Sequence, residues 1–477
     1  MSILNLISAL GIVALCYIAW LGSEDRQNIP WNTIRWGIGL QLIVGAIVFV
    51  LGSQVVAWVN DVLNIVLEAS EAGAKFLFGG ASSMIAVSPN FGAGPGTAGR
   101  WIARAVGDPY VAIPGDRLTP DNLDIGTTYI LAFRALPQII FFSGLVSLLY
   151  RLNVIPPIVR FFAKLFQNTM RISGAEALAG AANIFVGIES AIAVKPFLRT
   201  MSRSEICAVL ACCFGSIASS VLAIYAGLLR PTFPAITGHL VSASILTIPA
   251  CFVLSKLLVP ENTIPVTLGQ VPRDTDPGDA NSGQTRPSPM DSLITGSTDG
   301  VKMAVGIAAV LIAVLGVVDL FNRCFGLLGT LPAIGGLFQI ITLPNLLGML
   351  FLPLTFLTGV SLEWGELWQT SVLIGRRLFE TSIPPYLELS QLAATGAISG
   401  RALLIVSYVL CGFTHCASYG IFVGGLSSLV PERRSDIAAL GVKALWAGTL
   451  ATLMTGCVAG LFYWGNATSI LGFPVAP

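Results

Sequence analysis

The chain of 477 residues is 54% hydrophobic and 11% charged, with a formal net charge of +1 and a mean hydropathy of +0.80. So few charges cannot coat a water-soluble domain of this length, and a near-zero net charge gives no basic footprint for nucleic acid. A soluble globular protein and a nucleic-acid binder are therefore excluded, and the lipid bilayer of the cell membrane becomes the solvent.

About 20 apolar residues cross the hydrocarbon, so the pattern predicts about eight spanning segments, at 3–21, 34–52, 128–150, 204–229, 237–259, 301–322, 400–429 and 436–464. The first has no positive residue before it and no small-residue cleavage pattern, so it reads as a spanning helix and not as a signal peptide. Residues 55–78 carry Asp61, Glu68, Glu71 and Lys75 at helical spacing, which predicts an amphipathic helix in the interface. Residues 81–125 and 260–300 are rich in Gly, Pro, Ser and Asp and read as aqueous loops. The nine cysteines lie mostly inside apolar stretches, without a C-x-x-C pair, and act as small hydrophobes.

The second polar loop divides the chain into halves of similar plan. In the first, SGAEALAGAANIFVGIESAIAVKPFL (173–198) is interrupted at 187–189, and the next span carries CFGSIASS (213–220). In the second, LWQTSVLIGRRLFETSIPPYLEL (367–389) is interrupted near 380–385, and the next span carries CGFTHCAS (411–418). Interrupted segments at corresponding positions of two halves predict re-entrant hairpins and broken helices around a midplane site. Irregular backbone at that depth is tolerable only where protein or a water-filled cavity satisfies it. Small residues also serve close helix packing, but that use does not call for carboxylates in two of four matched breaks.

Lys and Arg near short loops orient the chain. Arg151, Arg160, Lys164 and Arg171, then Lys195, Arg199 and Arg203, then Arg433 and Arg434 all belong on the cytoplasmic side, so the two hairpins insert from opposite faces as an inverted repeat requires.

The stretches EALAGAANIFVG, SRSEICAVL with SIASSVLAIY, FETSIPPY and CGFTHCASYGIFVGGLSSLVPERRSDIAALGVKAL, together with 132–137, resemble the concentrative nucleoside transporter family over residues 55–464. The resemblance implies an all-α integral membrane protein and a cation-coupled symporter with no cofactor. It further implies a homotrimer whose protomers each hold a small-molecule site between two hairpin tips and two unwound helices. The family's first tip reads N-I-F-V-G-Q-T-E-A-P. Here it reads Asn183, Ile184, Phe185, Val186, Gly187, Ile188, Glu189, Ser190, Ala191, one residue shorter. Glu189 takes the place of the tip glutamate, and Ile188 stands where a Gln-Thr pair helps to hold the base. The cation ligands of sodium-coupled members fall on Asn183, Val186, Ser220 and Val221, hard oxygen donors that suit Na+, with H+ as the alternative coupling ion.

In the second half the resemblance matches the family's N-E-F to Phe379, Glu380 and Thr381, making Glu380 the anchor for ribose hydroxyls. It makes Phe413 an aromatic wall, His415 the replacement of a contacting asparagine, and Ser418 a retained serine. Read without the family, Glu380 would pair with Arg376 or Arg377, Asn183 would cap a broken helix, and His415 would bond a backbone carbonyl freed by a break.

The organisation expected is an N-terminal scaffold with an interfacial helix (1–155), a first repeat (156–259), a polar linker (260–300), a scaffold span (301–335) and a second repeat (336–477). An intramembrane enzyme using Glu189, Glu380 and His415 lacks any H-E-x-x-H or comparable metal spacing. A carrier of another polar solute, or a non-transporting receptor on the same fold, are the other readings.

Overall fold

The computed structural model describes residues 2–51, 53–78, 131–187, 190, 194–271, 288–328, 342–465 and 470–472. The loop expected at 81–125 lies outside them. Among the described residues the regular structure is helical, apart from one isolated bridge between Ser173 and Leu268.

Helix α1 (Ile3–Leu21) begins on the Ser2 hydroxyl, which accepts the N–H of Asn5 at 3.3 Å. Helix α2 (Trp31–Ala46) runs into a π-helical turn, Ile47–Leu51. Helix α3 (Ser53–Phe78) covers the segment read as interfacial; its buried face is Asn60, Asn64, Leu67, Ser70 and Ala74, at helical spacing. Helix α4 (Leu131–Arg151) turns by 80° into α5 (Ile155–Met170). Two features make the corner: Asn153 takes a left-handed φ of 57°, and Pro156 and Pro157 can occupy only a first helical turn. Helix α5 has a buried face of Ile155, Val159, Ala163, Phe166 and Met170, and the spans expected from hydropathy did not include it.

Three short helices follow, α6 (Gly174–Ala182), α7 (Arg203–Gly215) and α8 (Ser219–Leu229), then the long α9 (Ile236–Leu258). Helix α9 is buried along nearly its whole length and packs against α1, α2, α3, α7 and the last helix, which makes it the pillar of the fold. Helix α10 (Pro289–Leu328) packs on α4, but only 18% of its spanning window is buried despite a mean hydropathy of 2.6. The second half then runs α11 (Leu343–Leu357), α12 (Trp364–Glu380), α13 (Ile383–Ala394), α14 (Gly400–Leu410), α15 (Cys416–Leu429) and α16 (Arg434–Leu461).

The stretches 204–229 and 400–429 are each two helices with a non-helical break, at 216–218 and 411–415, inside the runs 213–220 and 411–418 where broken helices are expected. Other boundaries differ from those read in the sequence. Helix α10 starts at Pro289, inside the segment read as linker through 300. Ser288 accepts the Asp291 N–H at 3.1 Å, and Asp291 returns a bond to the Ser288 N–H at 3.2 Å. That reciprocal cap, with proline in the first turn, starts a helix in polar sequence that hydropathy alone reads as loop. The first interruption begins at Asn183, ahead of Gly187, and the second is confined to Thr381 and Ser382, with Pro384 and Pro385 helical. Among the described residues, by length and composition, five helices can cross a membrane unaided, or six when the bent α4–α5 pair counts as one span.

Candidate functional site

Each half carries the same local device. Ser173 and Glu176 form a capping box at the start of α6, and Ser202 and Glu205 form another at the start of α7. Helix α6 then ends at Asn183 and α7 at Ser216, whose hydroxyl donates to Cys212 O at 2.8 Å. In the second half Ser399 caps α14 by accepting the Ala402 N–H at 3.2 Å. The interval from Ser202 to Gly215 equals that from Ser399 to Gly412, so each cap is followed at the same distance by the glycine of a break.

The four breaks converge. A Cβ placed on Gly412 would lie 2.7 Å from Gly215 O, so the breaks after α7 and α14 touch backbone to backbone. The Asn183 amide donates to Cys213 Sγ at 3.5 Å, which brings the end of α6 to the last turn of α7. The Ser382 hydroxyl donates to Gly412 O at 3.2 Å, which brings the break between α12 and α13 to the same point. Arg377, fully buried, donates to Val409 O and, at 3.2 Å, to Thr452 Oγ1, which locks α12 to the last turn of α14 and to α16. A carbonyl freed by a helix break is thereby satisfied by a guanidinium.

Among the described residues, three of the four breaks hold buried side-chain oxygens without a hydrogen-bond partner: Asn183 Oδ1 and Ser190 Oγ at the first, Thr381 Oγ1 between α12 and α13, and Thr414 Oγ1 after α14. Other unpaired atoms, such as those of Gln41, Gln138 and Thr355, lie elsewhere. A buried polar group left unpaired costs about 1–3 kcal/mol, so the oxygens of Asn183, Thr381 and Thr414, at breaks that touch, mark a place where a ligand completes the structure.

The residues singled out in the sequence are distributed as follows. Asn183 is fully buried at the end of α6; Val186 is half-buried in the turn beyond it, and Val221 is buried in the first turn of α8. Ile188, Glu189 and the Ser220 side chain lie outside the described residues. Glu380 is in the last turn of α12, 5% exposed in its side chain, with Arg376 Nη2 and Nε at 2.8 and 2.9 Å from its Oε2. Arg376 also pairs with Glu388. The ion pair with Arg376 is the arrangement that the residues alone suggested. Phe413 is half-buried and meets His415 and Phe422 edge-on, at 5.9 and 6.1 Å between ring centres.

His415 is the N-cap of α15. Its Nδ1 accepts the Ser418 N–H at 3.0 Å, while Ser418 Oγ accepts the His415 N–H at 3.3 Å and donates to His415 O at 2.7 Å. With Nδ1 accepting, the neutral ring carries its proton on Nε2. The imidazole therefore bonds a freed N–H, where the residue-level reading had it bond a carbonyl. Ser382, Thr414 and the two glycines were not singled out, and Arg377 was named only as a partner for Glu380. The signal that could have found the glycines is the repeated Ser-to-Gly interval; the others become visible only when the breaks are seen to meet.

A bundle whose broken helices meet in the protein interior, around unpaired oxygens and inside a lipid-compatible shell, defines a multi-pass membrane carrier. The models of the Na+ dependent nucleoside transporter N-terminus and C-terminus match residues 10–81 and 239–460, and the nucleoside recognition gate model matches 132–232. An uncharacterized transporter of Haemophilus influenzae is 31% identical over 98% of this chain and 100% of its own length. Sodium/nucleoside cotransporter 1 of Mus musculus is also 31% identical over 96% of this chain, which spans 64% of that longer relative. The solved structure of CNTnw in an inward-facing substrate-bound state has a TM-score of 0.78 and 29% identity, over 97% of this chain and 100% of that one. The chain belongs to the concentrative, sodium-dependent nucleoside transporter family; it is a membrane carrier and not an enzyme.

Proposed function

We propose that this chain is a sodium-coupled nucleoside symporter that holds both solutes where its four helix breaks meet. The convergence of the breaks around unpaired buried oxygens carries this reading. Helices α6 and α7 both end there, and half-helix C-termini present carbonyls and the negative end of the dipole, which favours a cation. Asn183 Oδ1, the Val186 and Val221 carbonyls and Ser220 are its ligands in this reading. The substrate lies on the other side, at the N-terminal ends of α13 and α15. There Glu380, ion-paired with Arg376, accepts ribose hydroxyls, Phe413 walls the ring, and His415 offers Nε2–H beside Ser418. Glu189 and Ile188 join the substrate site in this reading on the strength of the family resemblance alone. The long, apolar and exposed α10 faces neighbouring protomers of a homotrimer.

Coupling follows from shared geometry. A cation seated on Asn183 fixes the end of α6 against α7, and the α7 break rests on Gly412 of the substrate half. Binding of one solute thereby stiffens the backbone that holds the other. Uptake of labelled uridine and adenosine into proteoliposomes is expected to follow an imposed sodium gradient. Accumulation in sodium-free medium that collapses with an uncoupler would overturn sodium coupling in favour of protons. Asn183→Ala is expected to raise the sodium concentration for half-maximal uptake by about tenfold, the equivalent of about 1.4 kcal/mol of ligand energy. The protein should still insert and melt only slightly lower, because Oδ1 supports no hydrogen bond in the fold and the amide N–H groups that are lost make only long bonds, to Ala179 O at 3.3 Å and Cys213 Sγ at 3.5 Å.

His415 acts on the site through the cap it makes: its Nδ1 holds the Ser418 N–H at the start of α15. His415→Asn keeps an acceptor for that N–H and should retain uptake, whereas His415→Ala leaves the N–H uncapped and should raise the half-saturating substrate concentration by several-fold, in line with the cost of about 0.5–2 kcal/mol for a lost N-cap. Wild-type half-saturation in His415→Ala would exclude a role for the cap in substrate binding.

A further inference from the structure

Arg401 lies at the opposite end of α14 from the site, in its first turn, and is 6% exposed. Its Nε donates to Gly359 O at 2.7 Å, Nη1 to Asn5 Oδ1 at 3.1 Å and Nη2 to Ser8 Oγ at 3.1 Å. Its guanidinium carbon sits 5.6 Å from the centre of the Tyr463 ring. All these partners are neutral, and among the described residues no carboxylate lies within ion-pair distance. The neighbouring Glu366 instead accepts the Ser399 N–H. A guanidinium has five N–H groups and is always charged, so two donors and a full unit of charge are left over. The acceptor nearest at hand is already shared: Asn5 Oδ1 also accepts the Ser2 hydroxyl, while the Asn5 amide and the Ser8 hydroxyl donate to Leu461 O, Tyr463 O and Thr358 O.

Beside this arginine is a cavity of about 410 Å³, lined by Ser2, Leu4, Asn5, Arg401, Tyr463 and Trp464. It opens where α1 begins and α16 ends, the level at which a spanning bundle meets the head groups. Tyr463 and Trp464, the latter 59% exposed, are the residue types of that belt. From its rim a stripe of exposed apolar side chains, Ile3, Leu6, Leu10, Val13 and Tyr17, runs along α1 at helical spacing. A soluble anion would find the charge and have no use for the stripe. A phospholipid uses both.

We infer that the cavity is a binding site for an anionic glycerophospholipid, its phosphate on Arg401 and its acyl chains along α1. The bound head group neutralises a buried charge and joins α1, the segment after α11, the start of α14 and the end of α16, the four pieces of chain that Arg401 and Asn5 already hold together. The site lies apart from the helix breaks, so nucleoside chemistry is not needed for it.

The test uses the purified full chain in vesicles of phosphatidylcholine alone and of phosphatidylcholine with phosphatidylglycerol, read by thermal unfolding and by native mass spectrometry of retained lipid. The wild type is expected to retain phosphatidylglycerol about tenfold over phosphatidylcholine and to unfold at higher temperature when it is present. Because removing Arg401 strips three hydrogen bonds and could prevent folding, the decisive variant is Ser2→Asp. Aspartate remains a good N-cap for α1 and places a fixed carboxylate at the cavity wall. Ser2→Asp should lose the lipid preference and keep uptake in phosphatidylcholine vesicles. Equal unfolding of the wild type in both vesicles, or a preference that survives Ser2→Asp, would overturn the proposal. Full stabilisation by glycerol phosphate in detergent, with no gain from lipid, would overturn the lipid as occupant.

Discussion

Glu380→Gln is expected to abolish sodium-driven uptake while leaving insertion and thermal stability near those of the wild type. Charge-assisted hydrogen bonds to ribose hydroxyls are worth about 1.5–3 kcal/mol each, and an amide in the same place makes neutral bonds of roughly half that strength. Weakening two of them by about 1.5–3 kcal/mol in total lowers affinity by about 10- to 150-fold. The opposing consideration is the ion pair with Arg376, which the substitution also removes. Arg376 keeps Glu388 as a partner and is partly exposed, so its loss of one carboxylate should cost about 1 kcal/mol or less. Arg376→Gln is the informative contrast. It leaves the nearly buried Glu380 carboxylate without its counter-ion, and stranding one member of a buried pair costs about 3–5 kcal/mol. The two variants thus separate: one loses function and keeps stability, the other loses both. Near-normal uptake by Glu380→Gln would show that the carboxylate serves only the fold.

Gly412→Ala should be nearly as damaging for a different reason. The new Cβ would stand 2.7 Å from Gly215 O and 2.5 Å from Thr452 Cγ2. A side chain can rotate away, but a carbonyl oxygen moves only if the break at 216–218 moves, and that break supports the end of α7 on which the cation ligands depend. Overpacking of this kind costs about 1–3 kcal/mol. Uptake should fall by at least about tenfold, because the two halves can no longer approach as the ligands require. Gly420→Ala is the control, since nothing lies within 4 Å of a Cβ at that position, so its uptake and melting should match the wild type. Wild-type transport by Gly412→Ala would mean that contact between the breaks is not part of the site.

Much of this architecture is written in local chemistry. The small charge content commits the chain to the bilayer, and the capping boxes that start α6 and α7 use S-x-x-E pairs, at Ser173 and Ser202, that lie within four residues of chain. The runs of small and polar residues in otherwise apolar segments mark where helices break, because glycine and serine there cannot compete with leucine for continuous helix. Even Glu380 was legible to this extent: a carboxylate in such a segment needs a partner, and Arg376 stands one helical turn away.

Boundaries were less legible, because hydropathy averages over a window and a cap acts at a single residue. Ser288 and Asp291 begin α10 in sequence that averages as a loop, and Asn153 with two prolines turns α4 into α5 where apolar content alone shows nothing. Which breaks meet belongs wholly to the tertiary structure. Contacts such as Gly215 with Gly412, Ser382 with Gly412 and Arg377 with Val409 join residues from different segments, and no local preference encodes such a distance. The same holds for Arg401: by sequence it is one more arginine at a helix start, and only the packing of α1, α14 and α16 buries it among neutral acceptors. Sequence by itself determined the solvent, the helices and the types of residue at each break, since these follow from side-chain chemistry over a few turns. Only the tertiary structure decided which oxygens remain unpaired, because a hydrogen bond is satisfied or orphaned by whatever the rest of the chain brings within about 3 Å.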